Sequence, residues 1–314
     1  MPQTKEIQIF MIGETNANEE QINQWMKYHD VKADWPCTEH KVTPDLTMPR
    51  TCAETVIGLA AKRCYLSFKK GLNANITRVR DDWKAFFENI LSSGHGSVLE
   101  HATYTFAIEG CTRVFTAEMN RHRAGVAISE GSLRYVRCDN LSYWEPQSIK
   151  PLQKVTTKDQ EKLQYQKCVT REIFDKTFAY VEMQYARLLQ LWDVDNLPFE
   201  EKKKLTSMFR RIVPMGVSTG GVWTFNVRAL RHILELRMSK HAEEEIQLVC
   251  STMAKMIFER EPNLFGDFKQ LENGALGFRS RRKYSLWKEY YKNLKHSKTL
   301  HLKLLHFQHV REQK

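Results

Sequence analysis

Between residues 74 and 125 the chain changes periodicity twice, and this constrains its fold more than any other feature. Ile76, Val79, Trp83, Phe86, Phe87 and Ile90 recur at three-to-four spacing, which predicts an amphipathic helix over 74–92 ending near Gly94. Ala102, Tyr104, Phe106 and Ile108 then alternate, as on one face of a strand. Residues 111–123 return to helical composition and run into Gly125 and Gly131, so the residues after them are expected to form a loop. Helix, strand, helix and glycine-containing loop in this order point to an α/β (α+β) fold: helix-rich, one domain, with a central mixed sheet.

Further helices are expected over 158–192, with Tyr180, Met183, Ala186 and Leu189 on one side, and over 200–211. Pro214, Gly216, Gly220 and Gly221 interrupt that pattern before the Val-Trp-Thr-Phe run. Two more helices follow, from Val227 to about Leu236 and from about His241 to Phe258. There is no internal repeat and no long Pro/Gly/Ser linker.

Charge is unevenly distributed. Of the net +11, residues 279–314 hold eleven Lys/Arg against two Glu, which leaves residues 1–278 nearly neutral, with 37 basic and 35 acidic residues. Charge thus sets a basic C-terminal tail (279–314) apart from the rest, which is read as an N-terminal extension (1–45) and a main body (46–278), the boundary at 45 being what the family resemblance given below implies. Tyr284, Trp287, Tyr290, Tyr291 and Leu294 among the tail's lysines suit nucleic acid or a partner, but a solvated appendage is favoured. No apolar run approaches the ~18 to 20 residues that span a bilayer, and the polar start has no secretory core, so a cytoplasmic protein without membrane contact is expected.

Seven cysteines without CxxC pairs argue against a disulfide framework or a zinc ribbon. Cys111, near Arg113 at a helix start, is the thiol whose context best suits a lowered pKa, and Pro36-Cys37 with His40 is a weaker case. Inert thiols are favoured throughout. The eleven histidines show no HxxxH or HExxH pattern, and no metal site is expected.

Two arginine constellations are the candidates for chemistry. The segment RVFTAEMNRHRAGVAISEGSLRY (113–135) packs Arg113, Arg121, His122, Arg123 and Arg134 into 22 residues, with Glu118, Ser129, Glu130 and Ser132 among them. A guanidinium donates two parallel charge-assisted hydrogen bonds, which suits phosphate. On a helix, Arg113 and Arg121 lie about 80° off alignment, so they border one pocket from its two ends. The same spacing equally suits a solvated basic helix end. The second constellation is Asn226, Arg228, His232 and Arg237. Arg228 and His232 share a helix face, and Asn226 stands where a cap or a ligand contact belongs; from spacing alone, a surface helix with its charges in water is the favoured reading.

The run RHRAGVAISEGSLRY (121–135) resembles the signature of flavin-dependent thymidylate synthases: R-H-R, seven residues, then Ser, usually continuing to an R-Y pair. Other segments are similar in order and spacing: GHGSVLEH (94–101), CTRVFTAEMNRHR (111–123), RRIVP (210–214), WTFNVRALRHILELR (223–237) and SKHAEEEIQ (239–247). The resemblance covers roughly residues 50–260. It implies an enzyme that converts dUMP to dTMP with methylenetetrahydrofolate as carbon donor, FAD as hydride carrier and NADPH as reductant, assembled as a homotetramer with shared active sites.

By the same resemblance, His95, Ser97, Glu100, Arg121, His122, Arg123, Asn226, Arg228 and His232 fall at flavin positions. Arg113, Glu118, Glu130, Ser132, Leu133, Arg134, Arg210 and Arg237 fall at dUMP positions. Arg210, rather than Arg211, keeps the family's distance to Pro214. Without a cysteine adding at C6, the uracil ring must be polarised by a cation, and Arg237 is the catalytic candidate. Two departures stand out: eight residues, AGVAISEG, separate Arg123 from Ser132, and Leu133 stands where Gly or Gln is frequent. An insertion that bulges outward would leave the chemistry unchanged, whereas one that reshapes the pocket would admit dUMP hydroxymethylation or another pyrimidine nucleotide. A non-catalytic nucleotide-binding protein is the alternative from a different class.

Overall fold

The computed structural model describes residues 3–31, 51–80, 82–138, 140–270 and 278–280. In chain order come β1 (Gln3–Thr4), β2 (Gln8–Glu14), α1 (Glu19–Tyr28), α2 (Cys52–Tyr65), α3 (Trp83–Ser93), β3 (Thr103–Thr112), α4 (Arg113–Met119) and β4 (Val126–Glu130). Then follow β5 (Ser142–Tyr143), α5 (Lys158–Leu191), α6 (Phe199–Phe209), β6 (Ser218–Asn226), α7 (Val227–Arg237), α8 (Glu244–Arg260), α9 (Pro262–Phe265), β7 (Phe268–Gln270) and β8 (Phe278–Ser280). The Cys37–His40 pairing and almost all of the basic tail lie outside the described residues. Among them, no helix is long and apolar enough to cross a membrane.

The four-stranded sheet has the order β2-β3-β6-β4. Its pairings are all antiparallel, while the parallel pairing belongs to the separate β1–β5 ladder. The fold is therefore α+β, with the two kinds of pairing in different sheets. Tyr104, Phe106 and Ile108 alternate inward along β3 and are fully buried, opposite Phe225 and Trp223 of β6. On the other face, the hydroxyls of Thr105 and Thr224 meet at 2.9 Å. Gln8–Glu14, ahead of the expected body, supplies the strand beside β3.

Two connections set up the site. Near the end of β3 the register shifts around Gly110, whose φ of +76° and closeness to the Glu6 carbonyl leave no room for a side chain. Beyond this bulge, Thr112 caps α4 by accepting from Val114 N at 3.1 Å. At the other connection, β6 passes directly into α7, and Asn226 Oδ1 accepts from Ala229 N at 2.8 Å.

Several elements differ from expectation. The helix predicted over 74–92 begins at Trp83, because Asp82 caps it and the Trp83 ring lies over Gly58 of α2, while Ile76 and Val79 precede it. The helix expected over 111–123 is confined to α4, since β3 persists to Thr112 and the chain turns after Met119. The loop expected after Gly125 contains β4, paired with β6 from Val126↔Phe225 to Glu130↔Gly221. On α5 the buried residues are Phe178, Tyr185 and Leu189, facing Tyr143, Phe209 and Val217, whereas Tyr180 and Met183 are 60% and 55% exposed.

Two buried carboxyls make stability pH-dependent. Glu261 accepts from the hydroxyls of Tyr104 and Thr51, and burial, with Glu54 nearby, pushes its pKa up to about 8. Burial also pushes Glu245 up to about 7. A carboxyl that holds its proton longer in the folded chain than at its ordinary value of 4.5 stabilises fully below that value and loses this contribution as pH rises through its folded pKa. Thermal melts at constant ionic strength are expected to show Tm falling from pH 5.5 to 8.5, as unfolding free energy is lost at no more than ~1.4 kcal/mol per pH unit for each group. Glu261→Gln should flatten the profile; a flat wild-type profile would refute this assignment.

Candidate functional site

The C-terminal ends of α4 and α7 meet at Arg237. Its Nη1 contacts Glu118 Oε2 at 2.8 Å and its Nε donates to His122 Nε2 at 2.9 Å. Carbonyl-rich helix ends favour a cation here. His122 is half-buried, and burial first, then the charges of Arg237, His232 and Arg121, hold its pKa below the usual imidazole range. A neutral ring accepting at Nε2 carries its proton on Nδ1. The His232 ring lies 6.4 Å away, edge-on.

A second group is built on Arg113. Its two terminal nitrogens donate to Glu130 Oε1 and to the Gly131 carbonyl, while its Nε is buried without a partner. Glu130 Oε2 accepts from Asn120 Nδ2 at 2.9 Å, and Asn120 Oδ1 accepts from the Trp223 indole at 3.1 Å. Arg113 thus anchors the start of the loop that carries Ser132, Leu133 and Arg134. Ser132 Oγ accepts from Arg134 N at 3.3 Å, and the Arg134 carbonyl accepts from Thr206 of α6 at 2.9 Å. The Arg134 side chain is exposed, whereas Leu133 packs into the α5 core cluster. Arg210 is half-buried in the turn after α6, and the neighbouring Arg211 donates to the Ser207 carbonyl at 2.9 Å. A cleft of about 620 Å³ is bordered by Arg113, Gly131 and Leu133, with Lys5 and Glu6 on its far side.

The third group lines a cleft of about 630 Å³ between the turn at 94–100, Gly125 and α7. His95, Glu100, Asn226, Arg228 and His232 face it. Arg228 meets Glu100 at 2.5 Å, and His95 shares a 3.1 Å hydrogen bond with the Tyr65 hydroxyl. Ser97, Arg121 and Arg123 are exposed and lie outside this lining, and the half-buried His122 lies outside it too. Sequence reasoning missed the far wall, Asp267 and Phe268, where Arg231 holds Asp267 through two hydrogen bonds at 2.8 and 2.6 Å. It also missed Asn120, whose only signal was its place directly before Arg121.

Two of the buried thiols are held protonated. Cys111 is buried in β3, and burial first, then nearby Glu245 and Glu130, raises its pKa well above the ordinary thiol value. Burial likewise pushes Cys250 up to about 12. Among the described residues, no group of three or more His, Cys, Asp or Glu is placed to hold a metal ion.

Residues 47–263 match the model of the thymidylate synthase complementing protein family. The chain belongs to this family. Two proteins named flavin-dependent thymidylate synthase, from Corynebacterium efficiens and Mycobacteroides abscessus, are each 30% identical to it, over 225 and 214 residues. These alignments cover 72% and 68% of this chain and 83% and 78% of the relatives. A third protein of that name, from Pyrococcus abyssi, is 34% identical over 185 residues, covering 58% of this chain and 65% of its own. The family match contains Arg237 and both constellations, whereas β2 and the Asp267–Phe268 wall lie outside it.

Proposed function

We propose that this enzyme of the flavin-dependent thymidylate synthase type methylates dUMP to dTMP, taking carbon from methylenetetrahydrofolate and reducing power from NADPH through FAD. The observation that carries this reading is the seat of Arg237: on α7 with the cleft-lining His232, and bonded to Glu118 and His122 beside the arginine-rich segment. That seat joins the two sets of residues assigned to flavin and nucleotide.

The residues present fit a flavin dinucleotide. A cleft of about 630 Å³ lies within the usual size of small-molecule sites. Arg228, His95, His232 and Asn226 supply donors for phosphate and ring atoms, and the absence of a side chain at Gly125 leaves Asn226 its place at the cleft wall. Bound FAD supplies hydride transfer, which no side chain provides.

The chain's own residues bind, orient and polarise. Arg134, Arg210 and the Ser132 hydroxyl suit the nucleotide phosphate. Arg113 holds their loop through Glu130 and Gly131. Arg237, fixed by Glu118 and His122, stabilises enolate-like negative charge on the uracil carbonyl and imide, the electron-rich form of the ring in which C5 is nucleophilic. The neutral His122 accepts from Arg237 Nε and so orients the guanidinium without repelling it. We expect assembly as a homotetramer with shared sites; the apolar residues that α5 exposes, Ile173 (56%), Tyr180 and Met183, suit an interface with a further copy.

The test is anaerobic turnover with dUMP, methylenetetrahydrofolate, NADPH and added FAD, with the nucleotide read by mass spectrometry. A methyl increment is expected. A hydroxymethyl increment would assign the protein to the neighbouring reaction, and flavin binding without product would point to another nucleotide.

A further inference from the structure

Glu245 stands in the first turn of α8, is almost fully buried, and has no part in either constellation. Both of its oxygens accept from Thr112, and the Phe115 N–H in the first turn of α4 also points to the carboxyl. Oε1 accepts from Thr112 N at 2.6 Å and Oε2 from Thr112 Oγ1 at 2.5 Å. The same Thr112 hydroxyl accepts from Val114 N at 3.1 Å, so the carboxylate fixes the cap of α4 from outside the helix. Arg113 follows directly, and its own N–H donates to the Val217 carbonyl at 3.2 Å. From there the contact continues through the guanidinium to Glu130 and Gly131, the beginning of the Ser132–Arg134 loop.

We propose that Glu245 is a positioning residue for this nucleotide loop, acting through Thr112 and Arg113. The inference rests on the nucleotide reading above and extends it to a side chain with no assigned role. Only an acceptor with two oxygens matches the paired donors of Thr112, because an amide would turn an N–H toward one of them. A short, doubly bonded clamp fixes both position and direction. A shift of α4's first turn would carry the Arg113 fork away from Gly131. The flavin cleft is bordered by other elements and would not share the displacement.

The experiment compares full-length, flavin-loaded wild type with Glu245→Gln, Glu245→Ala, Thr112→Ser and Thr112→Val. Calorimetry gives dUMP affinity, fluorescence gives FAD affinity, and hydrogen exchange follows residues 130–136, where Gly131 N is bonded to Gly220 O at 2.9 Å. Glu245→Ala is expected to weaken dUMP binding at least tenfold and to speed exchange across 130–136, with FAD affinity changed less than twofold and exchange in α3 unchanged. Glu245→Gln and Thr112→Val should fall between wild type and alanine, and Thr112→Ser should match wild type. Equal loss of dUMP and FAD affinity, or unaltered exchange in 130–136 in the folded glutamine variant, would overturn the proposal. If Glu245→Ala does not fold, the glutamine and Thr112 variants decide the same question. Wild type that fails to bind dUMP would count against the nucleotide reading, while the exchange comparison still decides whether Glu245 orders the loop.

Discussion

Replacing Arg237 with alanine is expected to lower kcat for thymidylate formation by at least ~10²-fold and up to ~10³-fold, the range for removing one preorganised donor from developing charge. Flavin should remain bound, because Arg237 does not border the flavin cleft. Both partners of Arg237 report on its removal. Glu118 keeps a partly buried carboxylate without its 2.8 Å ion pair, and His122 loses both a hydrogen-bond donor and a neighbouring cation. Since Arg237 is among the groups that lower the His122 pKa, the variant's imidazole should titrate higher, which NMR reads without turnover. Arg237→Lys retains charge but cannot direct one nitrogen at His122 and another at Glu118 in a fixed plane, so an intermediate rate is expected. Turnover unchanged in a folded alanine variant would remove Arg237 from the mechanism.

Local patterns were legible where burial and capping are decided within a few residues. The alternation at Ala102–Ile108 corresponds to β3 and its approach, with all four apolar residues buried. Asn226 was readable as a cap because an amide before a helical period satisfies a free N–H. Residues 126–130 were opaque. VAISE between two glycines resembles a loop, and only pairing with β6, almost a hundred residues later, makes it a strand. The buried side of α5 was misjudged for a related reason: its partners, Tyr143, Phe209 and Val217, come from distant segments that no helical period reveals.

The site was legible as an inventory and less so as a set of contacts. The sequence places Arg113 and Glu130 in one segment, but not the guanidinium bonded to Glu130 and Gly131 as a loop anchor. Nor does spacing bring Arg237 to Glu118 and His122, since those contacts depend on how α4 and α7 end against each other. The extra residue between Arg123 and Ser132 also changes meaning once seen in place. Most of that stretch is β4 in continuous register, so the departure from the signature is accommodated in a segment held by the sheet.

That accommodation depends on Gly125, and Gly125→Ala is expected to cost about 3 kcal/mol and to weaken FAD binding at least tenfold. Its φ is +73°, where an alanine pays ~1 to 2 kcal/mol. Its Cβ would also lie 2.5 Å from Asn226 Nδ2 and 2.7 Å from Asn226 Cγ, so Asn226 must move. Asn226 cannot move freely, because its N–H donates to the Gly125 carbonyl at 2.9 Å and its Oδ1 caps α7. Loss of that cap adds ~1 kcal/mol. Gly71 separates the two effects: its φ is +93°, but nothing lies within 4 Å of its missing Cβ. Gly71→Ala should therefore show the backbone cost alone, with a modest fall in Tm and unchanged FAD affinity. If both variants lose the same stability and both keep flavin, the Gly125–Asn226 contact does not shape the cleft. If Gly125→Ala alone releases flavin, the turn after Arg121-His122-Arg123 and the start of α7 act as one unit, and the glycine is what lets them approach.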